Sequence, residues 1–390
     1  MSATWTQHAI FWQVYPLGFS NAPIWHEHDE EPRLASLTAQ LDYVVALGAN
    51  GLILGPIFRS HTHGYDTIDH FQIDPRLGTL EDFEDLVTAA HARGIRIILD
   101  GVFSHAGQDF VHPELFDAAA VFEGHADLRR LDHTNPATVR YVQEVMEYWL
   151  ARGVDGWRLD AAYSVAPDFW AQIIPRVQQK FPESWHLAEV IHGDYDAFIA
   201  ASHIDSLTQY ELWKAIWSAL KEENFFELDW SLQRHQEFLR SFIPQTFIGN
   251  HDVTRIASQV GRRKALSALA ILLTVGGIPS MYYGDELGYT GIKEERFRGD
   301  DAIRPVFDFT GSSEQLVMLN AHKALIALRR QHPWLLQAEL EVITLENTRY
   351  EYRAINSAAP EQWIRIILDK DYAEIQDSAS QILWSTPDDC

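Results

Sequence analysis

The chain has one cysteine in 390 residues, Cys390 at its C-terminus, and four methionines. An internal disulfide is excluded, and no particular redox compartment is demanded. Long apolar runs are also missing. The most apolar stretch, residues 265–283, is interrupted by Gly276, Gly277 and Pro279 and does not read as a membrane span. The opening residues, MSATWTQHAIFWQVYP, lack a basic stretch followed by an apolar core and a cleavage site, so no export signal is expected. Positive charge is scarce: 31 Lys and Arg stand against 55 Asp and Glu, a net charge of −24. Such a surface repels nucleic acid and anionic membrane, which removes both from the expected partners. A cytoplasmic protein acting on a small molecule is the expectation, with solubility as the plainer role of the charge.

What is abundant is apolar and aromatic. Hydrophobic residues make up 46% of the chain, with 13 Trp, 14 Tyr and 20 Phe, mostly core by expectation. One unit recurs: a helix-period segment ends at a glycine, and a short apolar strand follows. Leu34, Leu37, Leu41, Val44 and Val45 lie at helical spacing, Gly48 ends the helix, and GLILGPIF follows. Thr79 caps a second helix carrying Phe83, Leu86, Val87 and Ala90, and IRIILDGVF follows Gly94. Asn135 caps a third with Pro136 at its first position, and VDGWRLDAA follows Gly153.

The strands are continuous apolar runs, as in a parallel sheet covered on both faces. Eight are placed near 10–15, 52–56, 95–100, 154–160, 185–190, 204–208, 246–250 and 279–283. This predicts an α/β fold, a (β/α)8 TIM barrel, over residues 1–330 with a short insert at about 106–134. Residues 331–390, with ELEVITLENTRYEYRAI and EQWIRIILDKDY, read as a small C-terminal antiparallel β domain.

In such barrels the chemistry sits at the C-terminal strand ends. Asp100 and His105 follow the third strand in DGVFSH, and Arg158 and Asp160 lie in GWRLDAA at the fourth. Glu189 lies in HLAEV at the fifth, and His251 and Asp252 in IGNHD at the seventh. Two carboxyl groups flanking a bond are what glycosidic cleavage needs, one as acid and one as nucleophile or base, and a third stabilises the cationic transition state. Arg158, two residues from Asp160 on one strand face, is expected to keep Asp160 ionised. Glu189, on an apolar strand, is expected to hold its proton near neutral pH. Each carboxylate alone is as well explained as a cap or an ion-pair partner; the convergence carries the reading.

At these residues the sequence resembles the α-amylase family of glycoside hydrolases. DGVFSH, GWRLDAA, LAEV and IGNHD match four signature regions in order, and HGYDTIDHFQIDPRLGT resembles the loop after the family's second strand. The resemblance spans roughly residues 8 to 310. It implies Asp160 as nucleophile, Glu189 as acid/base and Asp252 as transition-state stabiliser, with anomeric configuration retained through a covalent glucosyl-enzyme. It implies substrate contacts from Tyr65, His63, Asp100, His105 and His251, an orienting role for Arg158, and a grip on the next sugar by Asp300 and Arg304. The implied substrate is a malto-oligosaccharide or related α-glucan.

Three departures stand out. Ser104 occupies the place of the family's calcium-ligating Asn, and the segment from His105 to Asn135 is short, so the family calcium is not expected and no cofactor is called for. In a weak alignment Arg130 falls at a usually acidic position. Tyr163 and Ser164 replace a Lys-His pair that many α-amylases use on the leaving-group side.

Rival readings are an α-glucosyl transferase (transglycosylase or sugar isomerase) using the same residues, a non-catalytic scaffold, and a metal-dependent barrel hydrolase using the His61-x-His63 pair. Trp5, Trp12 and Trp25 read as packing, His192 as a loop residue near substrate, and Gly299 as a tight turn over the cleft.

Overall fold

A computed structural model of the chain describes residues 3–25 and 31–388, so Cys390 lies outside the described residues. All eight expected barrel strands form: Phe11–Val14 (β1), Gly51–Leu54 (β2), Arg96–Gly101 (β3), Gly156–Leu159 (β4), Trp185–Ala188 (β5), Ser206–Leu207 (β6), Gln245–Phe247 (β7) and Ile278–Tyr282 (β8). They belong to one sheet in the order β6-β5-β4-β3-β2-β1-β8-β7. A parallel bridge from Thr208 to Gln245 links the two ends of that order, the pattern of a (β/α)8 barrel. Pairings within β2–β6, and of β7 with β8, are parallel. β1, β2, β4, β5 and β8 are buried at every position, which is why they read as largely apolar runs, with Gln13, Arg158, His186 and Ser280 as buried polar exceptions.

The chain divides into two compact units. The first comprises Met1–Thr6, Gln13–Val45 and Asn50–Leu207. Its helices carry the expected signals. Thr79 and Asp82 form a reciprocal capping box on Leu80–His91, and the Asn135 side chain accepts the Ala137 N–H at the start of Pro136–Leu150. Gly48, Gly94 and Gly153 all take positive φ (98°, 72° and 93°), the left-handed helix ending that glycine tolerates best. One expected helix is interrupted. Residues 34–47 form Leu34–Thr38 and Leu41–Leu47, because the Gln40 N–H turns back three residues to the Leu37 carbonyl. An aromatic cluster fills the space under the helices: Phe58 and Phe83 each lie 5.2 Å from Trp149, whose Nε1 donates to the His70 carbonyl at 2.8 Å. Burying each such ring contributes roughly 1.5–3 kcal/mol.

Two local sheets lie beyond the strand ends. Phe58–Ser60 pairs with Thr67–Ile73 after β2. The insert after β3, expected only as a short segment, is a three-stranded antiparallel sheet of His105–Gly107, Phe116–Phe122 and His125–Leu131. An added Cβ at Gly107 would lie 2.6 Å from the Asp66 carbonyl oxygen, so glycine lets this sheet approach the loop after β2.

The second unit comprises Gln7–Trp12, Ala46–Ala49 and Thr208–Cys390. It contains β7, β8, helices that include Arg262–Thr274 and Ser313–Gln331, and a five-stranded antiparallel sheet over Glu339–Ser385. That sheet alternates as its sequence predicts: Tyr350, Tyr352, Ala354, Ile364, Ile366 and Leu368 are buried while their neighbours are more open, except Glu351, which is buried between Arg349 and Arg365. No described helix is long and apolar enough to cross a membrane.

Candidate active site

The first unit gathers its functional side chains on Arg158. Register pairs Arg158 of β4 with Asp100 of β3, and the Asp160 N–H donates to the Gly101 carbonyl at 3.0 Å. On the other side the Glu189 N–H donates to the Leu159 carbonyl at 2.9 Å. Three adjacent strand ends therefore present Asp100, Asp160 and Glu189 to one guanidinium. Arg158 Nη1 donates to both Asp100 oxygens at 2.7 Å and to Asp160 Oδ1 at 3.2 Å, while Nη2 lies 2.8 Å from Glu189 Oε1. Burial works against the guanidinium charge, but Asp100, Glu189, Tyr65 and Asp160 outweigh it and hold the Arg158 pKa well above its ordinary value. Asp160 and Glu189 thus sit side by side, spaced by one guanidinium.

Two expectations change here. Asp100 had been placed among the substrate contacts. Its side chain is wholly buried behind Arg158 and Tyr65, whose hydroxyl donates to Asp100 Oδ2 at 3.1 Å, so it holds these two residues. Glu189 had been expected in an apolar setting. Instead Arg158 reaches Oε1, and the Ala161 N–H donates to Oε2 at 2.9 Å. Ala161, which makes this contact, is in the left-handed region at φ 45°.

Tyr65 is delivered by the loop after β2. A buried Arg76–Asp74 pair at 2.7 Å knits that loop together, with Arg76 also donating to Ser60 Oγ and to the carbonyls of Thr62, Pro23 and Ile24. His105 accompanies Tyr65. Its Nε2 lies 3.0 Å from the Tyr65 carbonyl, which only accepts, so Nε2 carries the proton and Nδ1 accepts from Ser104 Oγ at 2.7 Å. Burial pushes the His105 pKa down to about 3, so the ring is neutral. Ser104, in the place of the family's Asn, is thereby engaged with a histidine.

His61 and His63 do not share a centre. His61, its side chain 59% exposed, faces Asp109 at 3.5 Å. His63 Nδ1 accepts the Tyr65 N–H at 3.2 Å, and Trp25 meets the His63 ring edge-on at 5.8 Å. Among the described residues no three His, Cys, Asp or Glu side chains are grouped to hold a metal ion. Trp5 packs edge-on against Trp185 at the start of β5, the end opposite the carboxylates.

In the second unit, Asp252 follows β7. His251 Nε2 lies 2.9 Å from Asp252 Oδ2, and Arg304 Nη2 lies 2.9 Å from Asp252 Oδ1. The same Nη2 reaches Asp300 at 2.9 Å, and Arg304 Nε donates to the His251 carbonyl at 2.9 Å. Arg304 therefore ties the Asp300 segment to Asp252, a link spacing alone does not reveal. Asn250 accepts the Asp252 N–H at 2.9 Å and donates to the Tyr210 hydroxyl at 2.8 Å.

The family model for the alpha-amylase catalytic domain matches residues 13–120 and 114–315. The chain belongs to the alpha-amylase family. This alpha-amylase-family chain is similar to a maltogenic alpha-amylase from Bacillus acidopullulyticus, 27% identical over 98% of this chain and 74% of that protein. It is also similar to a cyclomaltodextrinase from Geobacillus thermopakistaniensis, 28% identical over 88% of this chain and 66% of that protein. The chain thus spans between 66% and 74% of the length of these curated relatives. Among solved structures it is similar to the ligand-free cyclic alpha-maltosyl-(1→6)-maltose hydrolase from Arthrobacter globiformis, with TM-score 0.83 and 26% identity over 95% of this chain and 92% of that one.

Three residues that touch this alpha-amylase-family site escaped the sequence reading: Ala161, on Glu189, Phe122, stacked on His105, and Glu123, which accepts the Tyr163 hydroxyl. Ala161 looks like a spacer, and its left-handed backbone has no sequence signal. Phe122 and Glu123 lie in the insert, where nothing in FDAAAVFEGHADLRRL points to the site. The pairing that turns Glu123–Gly124 into a hairpin tip is visible only in three dimensions.

Proposed function

We propose that this chain is a retaining hydrolase of α-glucosidic bonds in malto-oligosaccharides. The observation that carries it is the single buried guanidinium of Arg158 holding Asp160 and Glu189 side by side at two adjacent strand ends. Asp160 Oδ attacks the anomeric carbon as the glycosidic C–O bond breaks, and Glu189 gives its proton to the departing oxygen. Water then loses a proton to Glu189 and displaces Asp160, which restores both carboxyl groups. Arg158 offsets part of the crowded negative charge and fixes both groups before substrate arrives, so little reorganisation accompanies the reaction. Asp252, set by His251 and Arg304, takes the role of transition-state stabiliser from its motif. The family motifs assign Tyr65, His63, His105 and His251 to the sugar at the cleavage point, and Asp300 with Arg304 to the next one.

The names of the relatives support linear and cyclic α-glucans as substrates. A cytoplasmic location belongs to the same reading, supported by the likeness to an intracellular maltogenic amylase of Bacillus subtilis. No cofactor belongs to it: the calcium-ligand position is Ser104, whose hydroxyl is given to His105.

The test is a time course on maltose, maltotriose and a longer malto-oligosaccharide. Shorter products establish hydrolysis, longer ones glucosyl transfer by the same residues, and no change with any α-glucoside overturns the reading. Asp160→Asn lowers kcat by at least about 10³-fold while leaving the thermal unfolding midpoint nearly unchanged.

A further inference from the structure

The insert hairpin turns through two residues only, Glu123 and Gly124, at φ 45° and 83°, with Phe122 paired to His125. Two successive left-handed residues make the type I′ turn that suits a hairpin, and Asn, Asp or Gly is favoured at its first position. Glutamate there is strained, so a compensating contact is worth looking for. Two contacts leave this tip. The Phe122 ring lies flat on His105, centroids 4.1 Å apart and planes 22° apart. Glu123 Oε1 accepts the Tyr163 hydroxyl at 2.6 Å.

Tyr163 belongs to the turn immediately after Asp160. That turn grips Glu189 twice: the Ala161 N–H donates to Oε2 at 2.9 Å and the Tyr163 N–H donates to the Glu189 carbonyl at 3.2 Å. Ala161 is itself left-handed at φ 45°. Left-handed non-glycine backbone therefore stands at Glu123 and, on the other side of the hydrogen bond, two residues before Tyr163. We propose that Glu123 is a positioning residue: through Tyr163 it latches the insert onto the turn that holds Glu189, and so shapes the leaving-group side of the site. Burial, the acceptor Glu123 and the nearby carboxylates of Glu189 and Asp160 all raise the Tyr163 pKa, so the hydroxyl remains a donor throughout neutral pH.

The latch rests on the glycosidase reading and adds to it. Because the resemblance assigns the positions of Tyr163 and Ser164 to the leaving-group side, where water or a second sugar arrives, the latch governs how the glucosyl-enzyme is partitioned between them.

The experiment compares wild type with Glu123→Ala, Tyr163→Phe, the double variant and Glu123→Gln on maltotriose. It reads kcat, KM and the ratio of longer to shorter products, with thermal unfolding as a fold control. Each single loss is expected to lower kcat by about tenfold and shift the product ratio by about threefold or more, with KM little changed. The double variant is expected to be no worse than either single one, and Glu123→Gln, which keeps an acceptor, to restore most of the activity. Additive losses, or single variants within about twofold of wild type in both rate and ratio, overturn the latch. A wild-type protein inactive on every α-glucoside defeats the glycosidase reading and the latch with it. An active wild type with indifferent variants defeats the latch alone.

Discussion

Arg158 carries three largely buried carboxyl groups, a costly arrangement that holds only while all the partners stay together. Removing the cation leaves Asp100, Asp160 and Glu189 crowded together without the positive charge between them. Arg158→Met is expected to cost about 3–5 kcal/mol of stability, measured by urea unfolding. Arg158→Lys keeps the charge, but one ammonium cannot occupy the positions of both Nη1 and Nη2. It is expected to keep most of the stability and lose about 10²-fold in kcat. Comparable kcat in the Arg158→Lys variant and the wild type would show that charge alone, not the planar fork, sets the site. The sequence made Arg158 legible as a partner of Asp160 because two positions along a strand share a face. Its tighter hold on Asp100 comes from β3–β4 register, a relation between distant segments.

At the scale of elements, local chemistry was the legible part. Helix Pro136–Leu150 was readable from its cap, its Pro136 and the apolar spacing of Val139, Val142, Met146 and Trp149, all of which are buried. Asn135→Ala removes the acceptor for the Ala137 N–H and is expected to cost about 1 kcal/mol, seen as a lower urea midpoint with an unchanged slope. No loss would mean that the burial of Val139 and Val142 holds the helix start without the cap. The insert sheet was not legible. Its strands are stabilised by pairing across the insert and with residues 105–107, and their alternation is weak. The break at residues 39–40 escaped for the opposite reason: the apolar period runs through it, and only backbone hydrogen bonding interrupts it.

At the scale of the whole molecule, acid sensitivity follows from buried histidines. Burial pushes His70, His235 and His322 down to about 4 and His105 to about 3. Between these values and the ordinary histidine range near 6.5, the unfolded chain binds protons that the folded chain refuses. Stability is therefore full above about pH 6.5 and falls as the pH drops toward 4, by on the order of 1–2 kcal/mol per histidine at pH 5. Asp285, raised by burial to about 6 despite Arg255, acts the other way. It takes up a proton more readily when folded, so acidification to pH 5 offsets part of the loss. Urea unfolding at pH 7 and pH 5 should show the net decrease, and equal stability at both would mean that these imidazoles are not buried in neutral form.

The sequence by itself determined the barrel and the identity of its chemical groups. Apolar runs, caps and helix-ending glycines act within a few residues, and the strand ends that follow them carry the carboxylates wherever the strands go. Only the tertiary structure decided how those groups are held: Asp100 behind Arg158, Glu189 in the grip of Ala161, Arg304 on Asp252, and the insert tip on His105 and Tyr163. These relations arise from register, left-handed backbone and contacts between distant segments, and one chain position says nothing about another far from it until packing brings the two together.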